Sequence, residues 1–204
     1  STYCLPMAAG FDFSWAQFLW IVLIFVGVPT LIGVSMVWVA WQRERAGVRS
    51  PSSDHEQTGD RPVGLGLRGL WATGATAFAL GFLSCAGWLS WSAEHDGEFR
   101  GPGLPAPNEF PTWQVIACGV TVVLACFLCA RRSRWVVSGG LAAAIGTAAG
   151  FTTAFSVVAS TDDTGQAGVG VMLSEIGWGI GLCLLMLVRA ARIRGARRRA
   201  VGAS

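Results

Sequence analysis

The sequence predicts an all-α integral membrane protein: a five-span transmembrane helical bundle with its N-terminus outside and its C-terminus in the cytoplasm. Of the 204 residues, 52% are hydrophobic and only 13% are charged, whereas a soluble domain is usually about 25% charged. The apolar residues fall into long runs instead of short periodic stripes, and about twenty such residues cross a bilayer core of roughly 30 Å. The composition therefore favours a membrane protein over a soluble one.

The apolar runs divide the chain into five spans and their connections. In chain order we assign an outer N-terminal segment (1–12), TM1 (13–42), a cytoplasmic loop (43–68), TM2 (69–92), an outer loop (93–112), TM3 (113–130), a cytoplasmic turn (131–134), TM4 (135–160), an outer turn (161–166), TM5 (167–188) and a basic cytoplasmic tail (189–204).

The arginines orient this arrangement. Basic residues beside a span stay on the cytoplasmic side of a membrane. The chain has fifteen arginines and no lysine, and in the five-span model fourteen arginines lie on the cytoplasmic side and only Arg100 lies outside. We expect a bacterial multi-pass protein of the plasma (inner) membrane.

Tryptophans test the same boundaries independently. Trp is enriched where a span meets the lipid headgroups. Eight of the ten tryptophans fall at predicted span ends, and only Trp20 and Trp178 lie deeper. The two patterns agree on where the spans begin and end.

Pro29 lies within TM1, between Gly27 and Gly33. A proline removes one backbone hydrogen bond and bends a helix. We therefore predict a kink in TM1, which either fits neighbouring helices or serves a function.

Small residues recur every four positions in three spans. This spacing places them on one helix face, where a second helix can approach closely. The candidate helix-packing residues are Ala77 and Gly81 in TM2, Ala142, Gly146 and Gly150 in TM4, and Gly177 and Gly181 in TM5.

Glu175 is the one charged residue inside a predicted span. A charge at mid-membrane costs about 2.5 kcal/mol or more, so it faces a bundle interior, water or a partner. Three interpretations stay open: a structural hydrogen bond to hydroxyl groups, a contact across a subunit interface, or a proton or cation site. The hydroxyl groups that we consider are those of Ser174, Thr147 and Thr152.

The cysteines offer a weaker signal. Cys126 and Cys129 form a C-x-x-C pair near the cytoplasmic end of TM3, and Cys85 and Cys118 have similar depths on consecutive spans. A reactive thiol needs an accessible, electropositive site, so we interpret these cysteines mainly as buried apolar residues. Cys4, alone on the outer side, suggests a free thiol or an intermolecular bond.

Other chemistry is not predicted. Both histidines, His55 and His95, fall in loops, which excludes a haem held between spans. The acidic run from Glu94 to Glu98 is typical of a solvated loop. The sequence GLGLRG lacks the spacing of a phosphate-binding glycine loop. We expect no catalytic residues, no cofactor, no metal and no nucleic-acid partner.

The basic tail has three interpretations. It could bind anionic lipid headgroups, dock a cytoplasmic partner, or simply anchor the topology. The tail arginines are Arg189, Arg192, Arg194, Arg197, Arg198 and Arg199.

Many packing surfaces and little chemistry favour a non-enzymatic role. The sequence predicts an accessory or structural subunit of a larger membrane complex, such as a transporter or a respiratory assembly, with other membrane subunits as partners. The first alternative is a transporter or channel component that uses Glu175 as a proton or cation site. The second is a membrane thiol oxidoreductase that uses Cys126 and Cys129.

Overall fold

The computed structural model describes residues 14–48, 63–95, 98–100, 110–160 and 166–201. It contains five helical segments that are long and apolar enough to cross a membrane, as the sequence predicts. The elements in chain order are α1 (Trp15–Ile21), a π-helical segment (Val22–Gly27), α2 (Val28–Val48), α3 (Val63–Leu89), β1 (Ser92–His95), β2 (Glu98–Arg100), α4 (Thr112–Arg132), α5 (Ser138–Ala159) and α6 (Gln166–Val201).

Helix α5 forms the centre of the bundle. Of its apolar window 72% is buried, against 17–39% for the other four candidate spans. Helices α2, α3, α4 and α6 all pack against it. Its run of alanines and glycines keeps the helix thin, so several neighbours reach its backbone at once.

The contact between α3 and α5 is the tightest in the bundle. A Cβ atom added at Gly81 would collide with the backbone carbonyl of Thr147, and one added at Gly150 would collide with that of Phe78. Gly146 lies in the same way against the carbonyl of Gly74. Only glycine lets the two backbones come this close. The structure thus places five of the seven predicted packing residues at or beside this contact, since Ala77 and Ala142 are buried alongside.

The first span is one irregular helix. A π-helical segment separates α1 from α2 just before Pro29. Pro29 has no N–H to donate, and its ring crowds the carbonyl four residues earlier, which belongs to Phe25. The wide turns of the π segment include Phe25 and accommodate this missing bond. The segment packs against both α5 and α6.

The connection between α3 and α4 contains a short hairpin. Strand β1 pairs with β2 in antiparallel fashion, with Ser92 opposite Arg100 and His95 opposite Glu98. These residues belong to the predicted outer loop, and two strands of this length leave the protein in the all-α class.

Two helices continue past their apolar segments. Helix α2 runs to Val48, into the region predicted as a cytoplasmic loop, and α6 runs to Val201, through the basic tail. The tail arginines therefore lie on a helix that continues the last span.

The opposite end of the bundle is closed by aromatic residues. Trp88, Trp91 and Trp113 form a ring cluster with centroids 6.2–6.3 Å apart. The side-chain amide of the fully buried Gln114 donates to the backbone carbonyls of both Trp88 and Trp91. This amide ties the start of α4 to the end of α3.

Several predicted features lie outside the described residues. They are the N-terminal segment 1–12 with Cys4, the stretch 49–62 with His55, residues 96–97 and 101–109 of the outer loop, residues 161–165 of the outer turn, and residues 202–204 of the tail.

Replacement of Gly81 by alanine should lower the free energy of unfolding by about 1–3 kcal/mol, because the added Cβ pushes against the Thr147 backbone. Gly87 on the same helix is exposed, with nothing within 4 Å of an added Cβ. G87A should therefore be neutral or slightly stabilising. Denaturant titration in detergent measures both variants, and equal stabilities would contradict the packing described here.

Candidate functional site

Glu175 lies inside the bundle. Its side chain is 4% exposed, on the face of α6 that also buries Val171 and Leu182. The hydroxyl of Thr30 donates to Glu175 Oε1 at 3.4 Å. Thr30 follows Pro29 directly, so the irregular part of the first span positions the Thr30 hydroxyl beside Glu175.

Thr152 of α5 borders the same carboxyl group. It is fully buried, and its hydroxyl donates to the Ala148 carbonyl at 2.9 Å. That hydroxyl proton is therefore already used, although the Thr152 oxygen can still accept a hydrogen bond. A carboxylic acid O–H at Glu175 would be a suitable donor to it.

The second carboxyl oxygen, Glu175 Oε2, is buried and has no hydrogen-bond partner among the described residues. No ion pair to Glu175 is found in that part of the chain either. A buried polar atom without a partner carries a substantial free-energy cost. This carboxyl group can hold a proton, accept a hydrogen bond from a water, or coordinate a cation that reaches it.

The three hydroxyl groups that the sequence suggested behave differently. Thr152 borders Glu175, whereas Thr147 lies beside the Cys126 thiol. Ser174 is half-buried on α6, and no bond from its hydroxyl to Glu175 is found in the described residues. Sequence reasoning did not find Thr30. A threonine next to the mid-span proline was the available signal.

Glu44 forms a second polar site, which sequence reasoning also missed. Its carboxylate accepts hydrogen bonds from the backbone N–H groups of Val137 and Ser138 at 2.9 and 3.0 Å, and from the Ser138 hydroxyl at 2.6 Å. These donors begin α5, where unsatisfied N–H groups and the helix dipole favour an anion. Glu44 thus caps α5 from the end of α2.

Arg194 of α6 completes this site. Its guanidinium lies 3.8 Å from Glu44 Oε1, with the Arg194 side chain 58% exposed and that of Glu44 15% exposed. An ion pair this exposed contributes little by itself. It does bring the arginine-rich end of α6 against α2 and α5.

The other tail arginines differ in their exposure. Arg189 is partly buried and donates to the Ala130 carbonyl at 3.4 Å, which links α6 to α4. Arg192, Arg198 and Arg199 are exposed. Arg197 belongs to the same helix.

The cysteines of the spans are free thiols in the core. Cys85 and Cys118 belong to one buried cluster and lie near each other, as the sequence suggested, and Cys126 and Cys129 lie in the same cluster. Burial keeps Cys126 and Cys129 away from a substrate, and nothing in the described residues favours thiol chemistry there.

Gly177 and Gly181 face away from the bundle. Both are exposed, and a Cβ added at either would meet nothing within 4 Å. Gly170 and Ser174 continue the same face, since positions 170, 174, 177 and 181 follow helical spacing. We call these four residues the outward seam. Its three glycines are exposed and point away from the face of α6 that buries Glu175, whereas Ser174 is half-buried at the edge of the seam.

No protein-family model matches the chain, and neither does a curated protein or a solved structure. In the described part of the chain, no three His, Cys, Asp or Glu side chains are grouped closely enough to hold a metal ion. The functional argument therefore depends on the residues themselves.

Replacement of Glu44 by alanine should cost about 0.5–2 kcal/mol of unfolding free energy, because it removes the cap of α5. R194A tests the ion pair alone and should have a clearly smaller effect, since Arg194 is mainly exposed. Thermal unfolding in detergent compares the two. If R194A were as harmful as E44A, the ion pair and not the cap would stabilise this end.

Proposed function

We propose that this protein is an accessory or structural subunit of a larger membrane assembly and that α6 is the helix that contacts its partner. The outward seam carries this proposal. Small residues at helical spacing allow two helices to approach within van der Waals contact in a membrane. The seam residues Gly177 and Gly181 are exposed and open.

A comparison with α5 supports this role for the seam. The glycines Gly146 and Gly150 of α5 already lie against the backbone of α3, so they offer no free surface to a helix of another subunit. Those of the seam have no such neighbour among the described residues. Glycine in a helix interior costs about 0.5–1 kcal/mol relative to alanine. A partner helix would offset that cost.

The orientation follows from the arginine-rich end of the bundle, as part of the same proposal. Arg189 and Arg194 of α6 contact the ends of α4 and α2, so basic helix ends are gathered on one side. The rule that positive charge stays inside supports a cytoplasmic C-terminus and an outer N-terminus in the plasma membrane.

Leucine at Gly177 or Gly181 should abolish co-purification of the partner from native membranes, because its side chain would hold the partner helix away from the seam. Gentle affinity purification in mild detergent, followed by mass spectrometry, measures the partner's yield relative to this chain. G87L is the matched control, since Gly87 is also exposed and open but lies on α3.

Two results would contradict this proposal. One is a wild-type chain that purifies without any stoichiometric membrane partner. The other is a partner whose yield is reduced equally by G177L and by the control G87L, because the seam would then have no special role.

A second candidate function is a transporter or channel component in which Glu175 carries a proton or cation. The unpaired Glu175 Oε2 favours it. An ionisable residue held inside a membrane bundle is a common element of proton pathways. The Thr30 hydroxyl on the other oxygen holds the carboxyl group in place.

E175Q should abolish pH-dependent ion flux in vesicles that contain the purified protein, because the amide cannot exchange a proton at neutral pH. E175D retains a carboxyl group and should keep part of the flux. A fluorescent pH dye inside the vesicles measures the transport. Wild-type protein that moves no ions, or E175Q that moves them at the wild-type rate, would exclude this candidate.

A further inference from the structure

A cavity of about 370 Å³ lies between α2 and α3, with α5 as its floor. Val37, Leu70 and Ile145 line its buried part, whereas Val34, Trp71 and Ala75 form an exposed rim. The cavity is therefore a cleft that opens sideways from the bundle, toward the lipid of a surrounding bilayer. Nearly all of its lining is apolar.

We propose that this cleft binds one acyl chain of an anionic glycerophospholipid from the leaflet on the arginine-rich side. Three observations lead to this occupant: the depth of the cleft, its volume, and the arginines at one of its ends. They do not depend on the outward seam, which belongs to another helix.

The depth matches a single leaflet. Along α3 the lining extends from Leu67 to Phe78, which corresponds to about 16 Å at about 1.5 Å per residue. Half of a hydrocarbon core of roughly 30 Å is about 15 Å. The cleft thus begins beside the Trp38 and Trp71 rings and ends near mid-membrane, where Thr30 lines it.

The volume is that of a small-molecule site. Lipid- and ligand-sized pockets range over about 300–1,000 Å³. A helix about 10 Å across and about 15 Å long would occupy roughly 1,200 Å³. The cleft is smaller than such a helix segment, and its volume suits a flexible hydrocarbon chain.

Among the described residues, Arg45 on α2 and Arg68 on α3 lie beyond the rim residues Trp38 and Trp71, at the arginine-rich end of the cleft. The spacing of Val34, Trp38, Trp41 and Arg45 places them on one face of α2. The Arg45 guanidinium lies 5.4 Å from the centroid of the Trp41 ring, which holds it at this face.

Arg68 is exposed on α3, one turn before Trp71 of the rim. The carboxylate of Glu44, which also lies at this end, is occupied by the start of α5 and by Arg194. An anionic phosphate group therefore suits Arg45 and Arg68, and tryptophan rings at this level suit the glycerol region.

The test uses the full chain in vesicles made from equal amounts of a phosphatidylcholine and a phosphatidylglycerol with the same acyl chains. After extraction in mild detergent, native mass spectrometry measures the retained lipid. We expect one phosphatidylglycerol per chain to be retained in preference to phosphatidylcholine. R45Q and R68Q should each lower this preference about fivefold. R131Q, at an exposed arginine on α4, is the control and should leave it unchanged.

Filling the cleft tests the acyl chain separately from the headgroup. A75F and V34F place a ring in the cleft from α3 and from α2, and both should abolish retention. A72F adds the same ring on α3 outside the lining and should not. Retention that survives A75F would place the lipid elsewhere, for instance on the arginines of α6, and would overturn the proposal.

Photolabelling of the wild-type chain gives a result that does not depend on how the variants fold. A phosphatidylglycerol with a diazirine near the end of its acyl chain should label the residues around Thr30 and Phe78. Equal labelling of all lipid-facing helices, equal retention of both lipids, or crosslinks to a second protein at Ala75 would each overturn the proposal.

Discussion

The close approach of α3 to α5 is the contact on which the rest of the bundle depends. Gly81, Gly146 and Gly150 bring two backbones together without intervening side chains. In a membrane there is no hydrophobic force between helices, because lipid tails are as apolar as leucine. Close packing of this kind therefore supplies the association energy, and α2, α4 and α6 pack around the pair.

Polar contacts define the two ends and one interior point of this packed core. Glu44 joins α2, α5 and α6 at the arginine-rich end, and the Gln114 amide joins α3 to α4 at the other. Each uses a side chain to satisfy backbone groups where a helix begins or ends. Between them, Thr30 and Glu175 join the first span to the last. The helices are thus held in register as well as in contact.

The surface of the bundle has two features of different character. The outward seam on α6 consists of small residues, and no described atom lies within 4 Å of a Cβ added at its glycines, so it suits the backbone of another helix. The cleft between α2 and α3 is apolar, and its volume suits a lipid chain. The subunit role that we propose would use both kinds of surface, one for protein and one for lipid. Thr30 belongs both to the Glu175 site and to the inner end of the cleft.

The sequence by itself determined the class of the protein and the number of its candidate spans, because length and hydropathy are local properties that a bilayer constrains strongly. It also singled out Glu175, since one charge in an apolar run is visible without any structure. Only the tertiary structure decided which small residues pack within the chain and which face outward, since Gly146 and Gly177 are each followed by a second glycine four residues later but have different surroundings. The sequence also did not predict the hydrogen-bond partners of Glu44 and Glu175, because hydrogen bonds between helices join residues far apart in the chain. Local periodicity contains no information about which distant hydroxyl or N–H group the fold will bring within reach.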